Sequence, residues 1–211
     1  YPHVKSKIRI VGNVINDLFF IRKRKEKKTP SVLFVSRIVE GKGIFDFLEA
    51  IPLILKENRE STFCIVGDGE DRLKLEQLIE RMGLGTYVAI VGGVNNERIV
   101  EYLRSNWVLV FPTKLPEGMP MVLAEALAAG TPIVTTETRF SASYLKDRRN
   151  CLVARRNDPQ DLARKINAVL RNKRLRVGIA GKGKDVAEIF RKESVVPQYT
   201  SLYQSMLQER M

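Results

Sequence analysis

From Ser31 onward the sequence alternates short apolar runs of strand length with amphipathic stretches of helix length, and this alternation restricts the fold more than any other feature of the chain. The apolar runs fall at 32–35, 62–66, 88–91, 108–111, 133–135 and 151–153, and the helical stretches at 44–57, 70–82, 95–105, 119–129 and 159–171. Consecutive strands that are each followed by a helix cannot pair as hairpins. They form right-handed βαβ crossovers and hence a parallel sheet with helices on both faces. The expected class is therefore α/β, a doubly wound, Rossmann-like parallel sheet. The short apolar opening at 8–11 reads as one more strand, and 195–209 as a last helix with Val195, Tyr199, Leu202 and Met206 on one face.

A length of 211 residues allows one domain with a full core. The expected division is an inter-domain crossing and basic linker at 1–30, the Rossmann-like domain at 31–194, and a terminal helix at 195–211. No apolar run approaches the roughly 18 residues of a membrane span, and no signal peptide is expected. Two isolated cysteines, Cys64 and Cys151, suit neither a disulfide framework nor metal ligation, so reduced thiols and a cytoplasmic setting are expected. The sole histidine, His3, reads as a solvated residue of the tail.

Lysine and arginine outnumber aspartate and glutamate 36 to 24, a net charge of +12. Such an excess fits small anionic ligands, an anionic membrane surface or nucleic acid. The clusters at 22–28, 148–149, 155–156 and 171–176 lack the interleaved aromatics of a nucleic-acid stacking platform, which makes nucleic acid the weakest of the three. A solvated basic surface and linker accounts for most of this charge.

In a doubly wound sheet, ligands bind beyond the carboxyl ends of the strands, so the chemistry is sought in the segments that follow each apolar run. Arg37 and Lys42 follow the first run, on a loop that opens a helix. Fixed positive charge beside a helix N-terminus is chemically a phosphate site, and taken alone the two read equally as a surface charge pair. Gly67 and Gly69 follow the second run, and Gly92 and Gly93 the third. These glycines permit close approach of backbone to a ligand, yet each pair alone is the usual signature of a strand-to-helix turn. The segment after the fourth run is richer: Glu117 lies in a Pro-Glu-Gly-Met-Pro loop, and Glu125 sits inside the apolar helix that follows. A carboxylate buried there without a partner would cost several kcal/mol or lose its charge. It requires a protein donor or a ligand. The two carboxylates stand on the order of 10 Å apart by helical geometry, a span that suits the two ends of a nucleotide sugar.

Together these residues resemble the C-terminal, donor-binding domain of glycosyltransferases of the GT-B fold, most closely glycosyltransferase family 4, over nearly the whole chain. Ser36-Arg37 and Lys42-Gly43 keep the spacing of that family's first-strand Gly-Arg and Lys-Gly, with Ser36 in place of glycine. Pro112-Thr113, Glu117-Gly118 and Glu125-Ala126 fit its acidic motif of two glutamates separated by seven residues, with Met119 for the common Phe and one extra loop residue. Gly12 to Asn16 look like a degraded form of the segment that ends the crossing from the N-terminal domain, so the chain is expected to continue a longer polypeptide.

The resemblance implies transfer of a sugar from a UDP-, GDP- or ADP-sugar with retention of configuration, without a metal or other cofactor. Arg37 and Lys42 would bind the diphosphate, Glu117 the donor sugar, and Glu125 the ribose hydroxyls. Backbone N–H groups over Gly118, Met119, Pro120, Met121 and Val122 would face sugar and phosphate oxygens. The base would rest on the loops at Gly67 and Gly92. It also implies an N-terminal acceptor-binding domain as partner, to which the last helix returns, and an acceptor such as a glycan or lipid-linked saccharide, with peripheral association at the inner membrane face. Two other functions fit the residues: a non-catalytic nucleotide-sugar-binding subunit, and a basic module for membrane surface or nucleic acid.

Overall fold

The computed structural model describes residues 8–20 and 23–208. His3, Arg22 and residue 209, the expected end of the last helix, lie outside the described residues. Six strands, β1 (Ser31–Val35), β2 (Thr62–Val66), β3 (Val88–Gly92), β4 (Val108–Phe111), β5 (Ile133–Thr136) and β6 (Leu152–Ala154), form one sheet in the order β3-β2-β1-β4-β5-β6. Every pairing between them is parallel. The chain winds outward from β1 to β3, returns to the centre at β4, and winds outward on the other side. β1 and β4 are thus neighbours whose onward connections leave in opposite directions, which opens a crevice above their carboxyl ends.

Burial on both faces explains why the strands read as unbroken apolar runs. Along β1, Val32 and Phe34 pack into one hydrophobic cluster and Leu33 into the other, the alternation that a pleated strand imposes. The first cluster lies under α1 (Ile44–Glu57), α2 (Arg72–Arg81) and α6 (Pro159–Arg171), with Phe34 stacked on Phe47 at 5.8 Å between ring centroids. The second lies under α3 (Asn96–Ser105), α4 (Met121–Ala129), α5 (Arg139–Tyr144) and α7 (Lys173–Ala187), where Phe140, Tyr144 and Phe190 pack ring on ring.

Several expected boundaries move for identifiable reasons. The stretch 95–105 starts one residue later, because the Asn95 side chain accepts from the Arg98 N–H and caps α3 from outside. The stretch 119–129 starts at Met121, since Pro120 occupies the N-cap position. Residues 8–11 form no strand: the sheet ends at β3 and β6, and the opening segment instead crosses the second cluster, where Ile15 and Phe19 are 1% exposed and the Ile15 N–H donates to Phe190 O at 2.9 Å. Two helices were not anticipated, α5 and α7. The last helix, α8 (Lys192–Gln208), begins three residues earlier than expected. Its residue Val195 is buried, Tyr199 donates to Gly12 O at 3.5 Å, and Tyr203, Met206 and Leu207 are exposed.

Candidate functional site

The loops at the carboxyl ends of β1, β2, β3 and β4 are locked to one another by backbone. Ser36 N–H donates to Val66 O at 3.2 Å and Ile38 N–H to Asp68 O at 2.9 Å, which ties the loop after β1 to the loop after β2. Gly67 N–H donates to Gly92 O at 2.9 Å and ties on the loop after β3. Gly67 has a φ of +139°, and a Cβ there would meet Ser36 O at 1.9 Å, so glycine is required by close approach as well as by backbone angle. Lys114 N–H donates to Gly41 O at 2.9 Å and joins the loop after β4 to the loop after β1. Gly43, which ends the 3-10 turn Glu40–Lys42 in the left-handed region at φ +74°, permits that junction: a Cβ would stand 1.9 Å from Pro112 O.

Lys42 and Glu117 meet across the crevice between β1 and β4. The Lys42 ammonium donates to Glu117 Oε1, with the two side chains 14% and 18% exposed. The Lys42 ammonium also lies 5.9 Å from the Phe111 ring centroid at the end of β4. Thr113 orders the loop that carries Glu117. Its hydroxyl is 3.2 Å from Gly41 O and 3.3 Å from Glu117 Oε1, and it accepts from Leu115 N–H at 3.2 Å. From the far side, Phe140 N–H donates to Glu117 O at 3.4 Å, at the first turn of α5. That helix is started by a reciprocal cap between Thr138 and Ser141. Thr136 at the end of β5 donates to Thr113 O at 2.6 Å.

Arg37 projects from the same loop as Lys42 and is exposed, with no hydrogen bond or ion pair from its guanidinium to any described residue. The N–H groups of Gly118, Met119, Met121 and Val122 make no backbone hydrogen bond among the described residues, while Leu123 N–H turns back to Pro120 O at 3.0 Å. Pro120 carries no N–H, so the run expected to present five such groups presents four. Pro120 is buried, and Met119 and Val122 pack against the second cluster, which leaves Gly118 and Met121 as the exposed members of the turn.

Glu125 is half-buried in α4 and has no hydrogen bond or ion pair with any described residue. Burial pushes its carboxyl up to about 7. Of the protein donor or ligand expected to meet this carboxylate, no protein donor is found among the described residues, and it makes no contact with Lys42, Glu117 or Arg37. Asp68, in contrast, accepts from Gly69 N–H at 2.8 Å and from Arg72 at 2.9 Å, and both contacts hold its carboxyl below the usual range.

Sequence reasoning placed Thr113 in the motif without giving it a role, and missed Thr136, Thr138 and Phe140. The signal was present: the stretch from Thr135 to Thr138, which ends β5 and leads out of it, is polar, yet Thr135, Thr136 and Thr138 are buried. Only a demand for hydrogen-bond partners at each buried hydroxyl would have found it. The site is a rim of loops. A hollow of about 470 Å3 elsewhere, lined by Arg148, Asp161, Arg164 and Lys165 among others, contains none of these groups.

The crevice carries two cations, one of them unpaired among the described residues, and a helix start whose N–H groups have no backbone partner there, while Glu125, without a described donor, lies about one turn further along that helix. Comparison with known proteins follows the same direction. The family model described as "Glycosyl transferases group 1" matches residues 16–186. An uncharacterized glycosyltransferase of Methanocaldococcus jannaschii is 28% identical over 82% of this chain and 48% of its own length. The lipopolysaccharide core biosynthesis glycosyltransferase LpsE of Rhizobium meliloti is 26% identical over 95% of this chain and 59% of its own. Among solved structures, Anabaena HepE in complex with UDP and glucose superposes with a TM-score of 0.83 at 19% identity, covering 93% of this chain and 56% of that one. The chain thus spans about half the length of the relatives it matches.

Proposed function

The chain belongs to the group 1 glycosyl transferases, and on that premise we propose that it is the donor-binding, C-terminal half of a retaining, metal-independent enzyme of glycosyltransferase family 4. The observation that carries this reading is the gathering of Arg37, Lys42, Glu117 and the start of α4 at the crevice between β1 and β4, with the unpartnered Glu125 on that same helix. Breaking the bond between a sugar and a nucleoside diphosphate develops negative charge on the leaving phosphate. Cations and a helix N-terminus fixed beforehand around that position lower the barrier without reorganising as the charge appears. In this reading Arg37 and Lys42 do what a divalent cation does elsewhere.

Glu117 accepts from hydroxyls of the donor sugar, and Glu125 from those of the ribose, which gives the half-buried carboxylate the donors that the protein withholds. The base lies against the interlocked loops at Gly67 and Gly92. HepE was solved with UDP and glucose, which supports a nucleotide sugar as ligand here. A relative named for lipopolysaccharide core biosynthesis supports a saccharide acceptor. The acceptor would be held by an N-terminal domain facing this edge, and the exposed Tyr203, Met206 and Leu207 of α8 would return to it. The net charge of +12 would favour work at the anionic inner face of a membrane, from the cytoplasm. No helix among the described residues is long and apolar enough to cross one.

Titration calorimetry of the chain with UDP, GDP and ADP tests the assignment. One of the three is expected to bind, more weakly in Arg37→Ala and in Glu125→Ala, and the isolated chain is expected to transfer no sugar. Absence of binding by all three would overturn the donor-site reading.

A further inference from the structure

The net charge of the chain is concentrated at one end of the sheet. Residues 139–182 hold thirteen of the 36 lysines and arginines but only three of the 24 aspartates and glutamates, a surplus of ten out of the total of +12. This segment forms α5, β6, α6 and most of α7, and β6 is an edge strand, so the surplus lies on a lateral wall of the domain. The other end has the reverse sign: residues 68–80, between β2 and the opposite edge strand β3, carry five acids and two cations. The domain is thus electrically polar along its sheet.

Three hollows run together across that wall. The hollow of about 470 Å3 that Arg148 and Lys165 line shares Arg164, Ala168 and Leu175 with a second, of about 560 Å3, which continues to Arg171 and Lys173. The turn that places Arg148 in the first hollow, closed by Arg149 N–H donating to Lys146 O at 3.0 Å, places Lys146 and Arg149 in a third, of about 380 Å3. The acids along this surface are already engaged. Asp161 pairs with Arg164 at 2.7 Å, Asp147 with Lys165 at 3.5 Å, Glu57 with Arg171 at 2.7 Å and Asp185 with Lys182 at 3.4 Å. The exposed side chains of Lys146, Arg148, Arg149, Lys173 and Arg174, in contrast, make no hydrogen bond or ion pair with any described residue. Among the cations of the third hollow stands one apolar side chain, Ile189, 45% exposed.

We propose that this wall is the face by which the protein lies on an anionic lipid bilayer. The proposal deepens the membrane-face reading above and rests on it, but is independent of the donor site. Exposed cations without free acids beside them are drawn to anionic headgroups, by about fivefold in affinity for each lysine or arginine near the surface. Headgroup phosphates accept charge-assisted hydrogen bonds from the cations that line the hollows. An exposed isoleucine amid cations suits the boundary between headgroups and acyl chains. A nucleic acid would instead call for exposed aromatics, and here Phe140 is buried and Tyr144 half-buried. Strand β4, which borders the crevice, lies two strands in from β6, about 10 Å by strand spacing. A bilayer against this wall leaves the crevice open beside it, within reach of an acceptor carried on a lipid.

Cosedimentation of the chain with lipid vesicles at physiological ionic strength tests the face. Binding is expected to vesicles that contain phosphatidylglycerol and not to phosphatidylcholine alone. The double variants Arg148→Gln/Arg149→Gln and Lys173→Gln/Arg174→Gln are each expected to weaken it by at least about tenfold, and Ile189→Ser by a few-fold. Lys23→Gln/Lys25→Gln removes the same charge from the segment before β1 and is expected to keep it, so that a loss confined to the wall variants reports place and not net charge. The side chains replaced in the wall pairs are exposed and unbonded, and their melting temperatures are expected to match the wild type. No binding of the wild type to phosphatidylglycerol would overturn the membrane-face reading and this face together. Binding lowered equally in all three double variants would overturn the face alone and leave adhesion to the net charge. Retention on duplex DNA that is lost in the wall variants, without vesicle binding, would assign the wall to nucleic acid and likewise overturn the proposal.

Discussion

Lys42 and Glu117 pair with each other across the point where the strand order reverses, one from the loop after β1 and the other from the loop after β4. Each of the two groups proposed for donor binding therefore satisfies the other. A diphosphate entering the crevice would compete with Glu117 for the ammonium. The partly buried setting makes this exchange energetically visible, because pairs of this kind are screened less than surface pairs. Glu117→Gln is accordingly expected to raise nucleoside diphosphate affinity by a few-fold while abolishing any preference for the sugar-bearing nucleotide over the bare diphosphate. Lys42→Met is expected to lower the affinity by at least about tenfold. Calorimetry on both variants decides: equal losses in the two would mean that the pair acts only to brace the loops.

Thr113 offers a finer test of how that carboxylate is aimed. Its hydroxyl touches Gly41 O, Glu117 Oε1 and Leu115 N–H, so Thr113→Val keeps the shape and removes all three contacts. The expected cost is about 1–2 kcal/mol of stability. Nucleotide-sugar affinity is expected to fall more than affinity for the diphosphate alone. If the two fall together, Thr113 supports the loop without orienting Glu117.

Gly43 and Gly83 provide a matched comparison within one chain. Both have positive φ, +74° and +65°, but a Cβ at Gly43 would stand 1.9 Å from Pro112 O while one at Gly83 meets nothing within 4 Å. Gly83→Ala carries only the backbone penalty, about 1 kcal/mol. Gly43→Ala must also separate the loops after β1 and β4, and is expected to cost about 3 kcal/mol or more. Urea denaturation measures both, and similar values would show that the junction yields easily.

The sheet was legible because its strands are buried on both faces. An apolar run such as Val108 to Phe111 needs no partner knowledge to be read as a strand, and the helices 44–57 and 159–171 carry one apolar face each. Helix α5 escaped notice because its six residues span less than two turns, too few for a period, and it is begun by hydroxyl caps. Helix α7 escaped because Gly178, Gly181 and Gly183 and a dense run of lysine and arginine obscure its weak apolar face. The strand expected at 8–11 failed for the opposite reason: local apolar character cannot say whether a sheet edge is available. In the candidate site, residue types and spacing pointed to Arg37, Lys42, Glu117 and Glu125, of which the structure brings Lys42 and Glu117 into contact. The pairing of Lys42 with Glu117, 75 positions apart, was not legible, since it depends on the intervening chain folding so that two loops meet.

Glu125 links the proposed ligand to pH. Burial raises its carboxyl from an ordinary 4.5 to about 7, with no partner to oppose the change. Below pH 4.5 the group is protonated in both the folded and unfolded chain and costs nothing. As pH rises from 4.5 to 7 the unfolded chain gives up the proton while the folded one retains it, so stability falls across that window and levels off above it. The full loss is roughly 3 kcal/mol for a shift of this size. Glu125→Gln should remove the slope and leave the variant more stable than the wild type at pH 8, by chemical denaturation at a series of pH values. Hydroxyl donors from a bound ribose would favour the ionised form. Binding at pH 6.5 should then release a proton, seen as a dependence of calorimetric heat on the ionisation enthalpy of the buffer, and the variant should lose that dependence. A wild-type binding heat that differs from the variant's in no buffer would detach Glu125 from the nucleotide and leave its burial to be explained by packing alone.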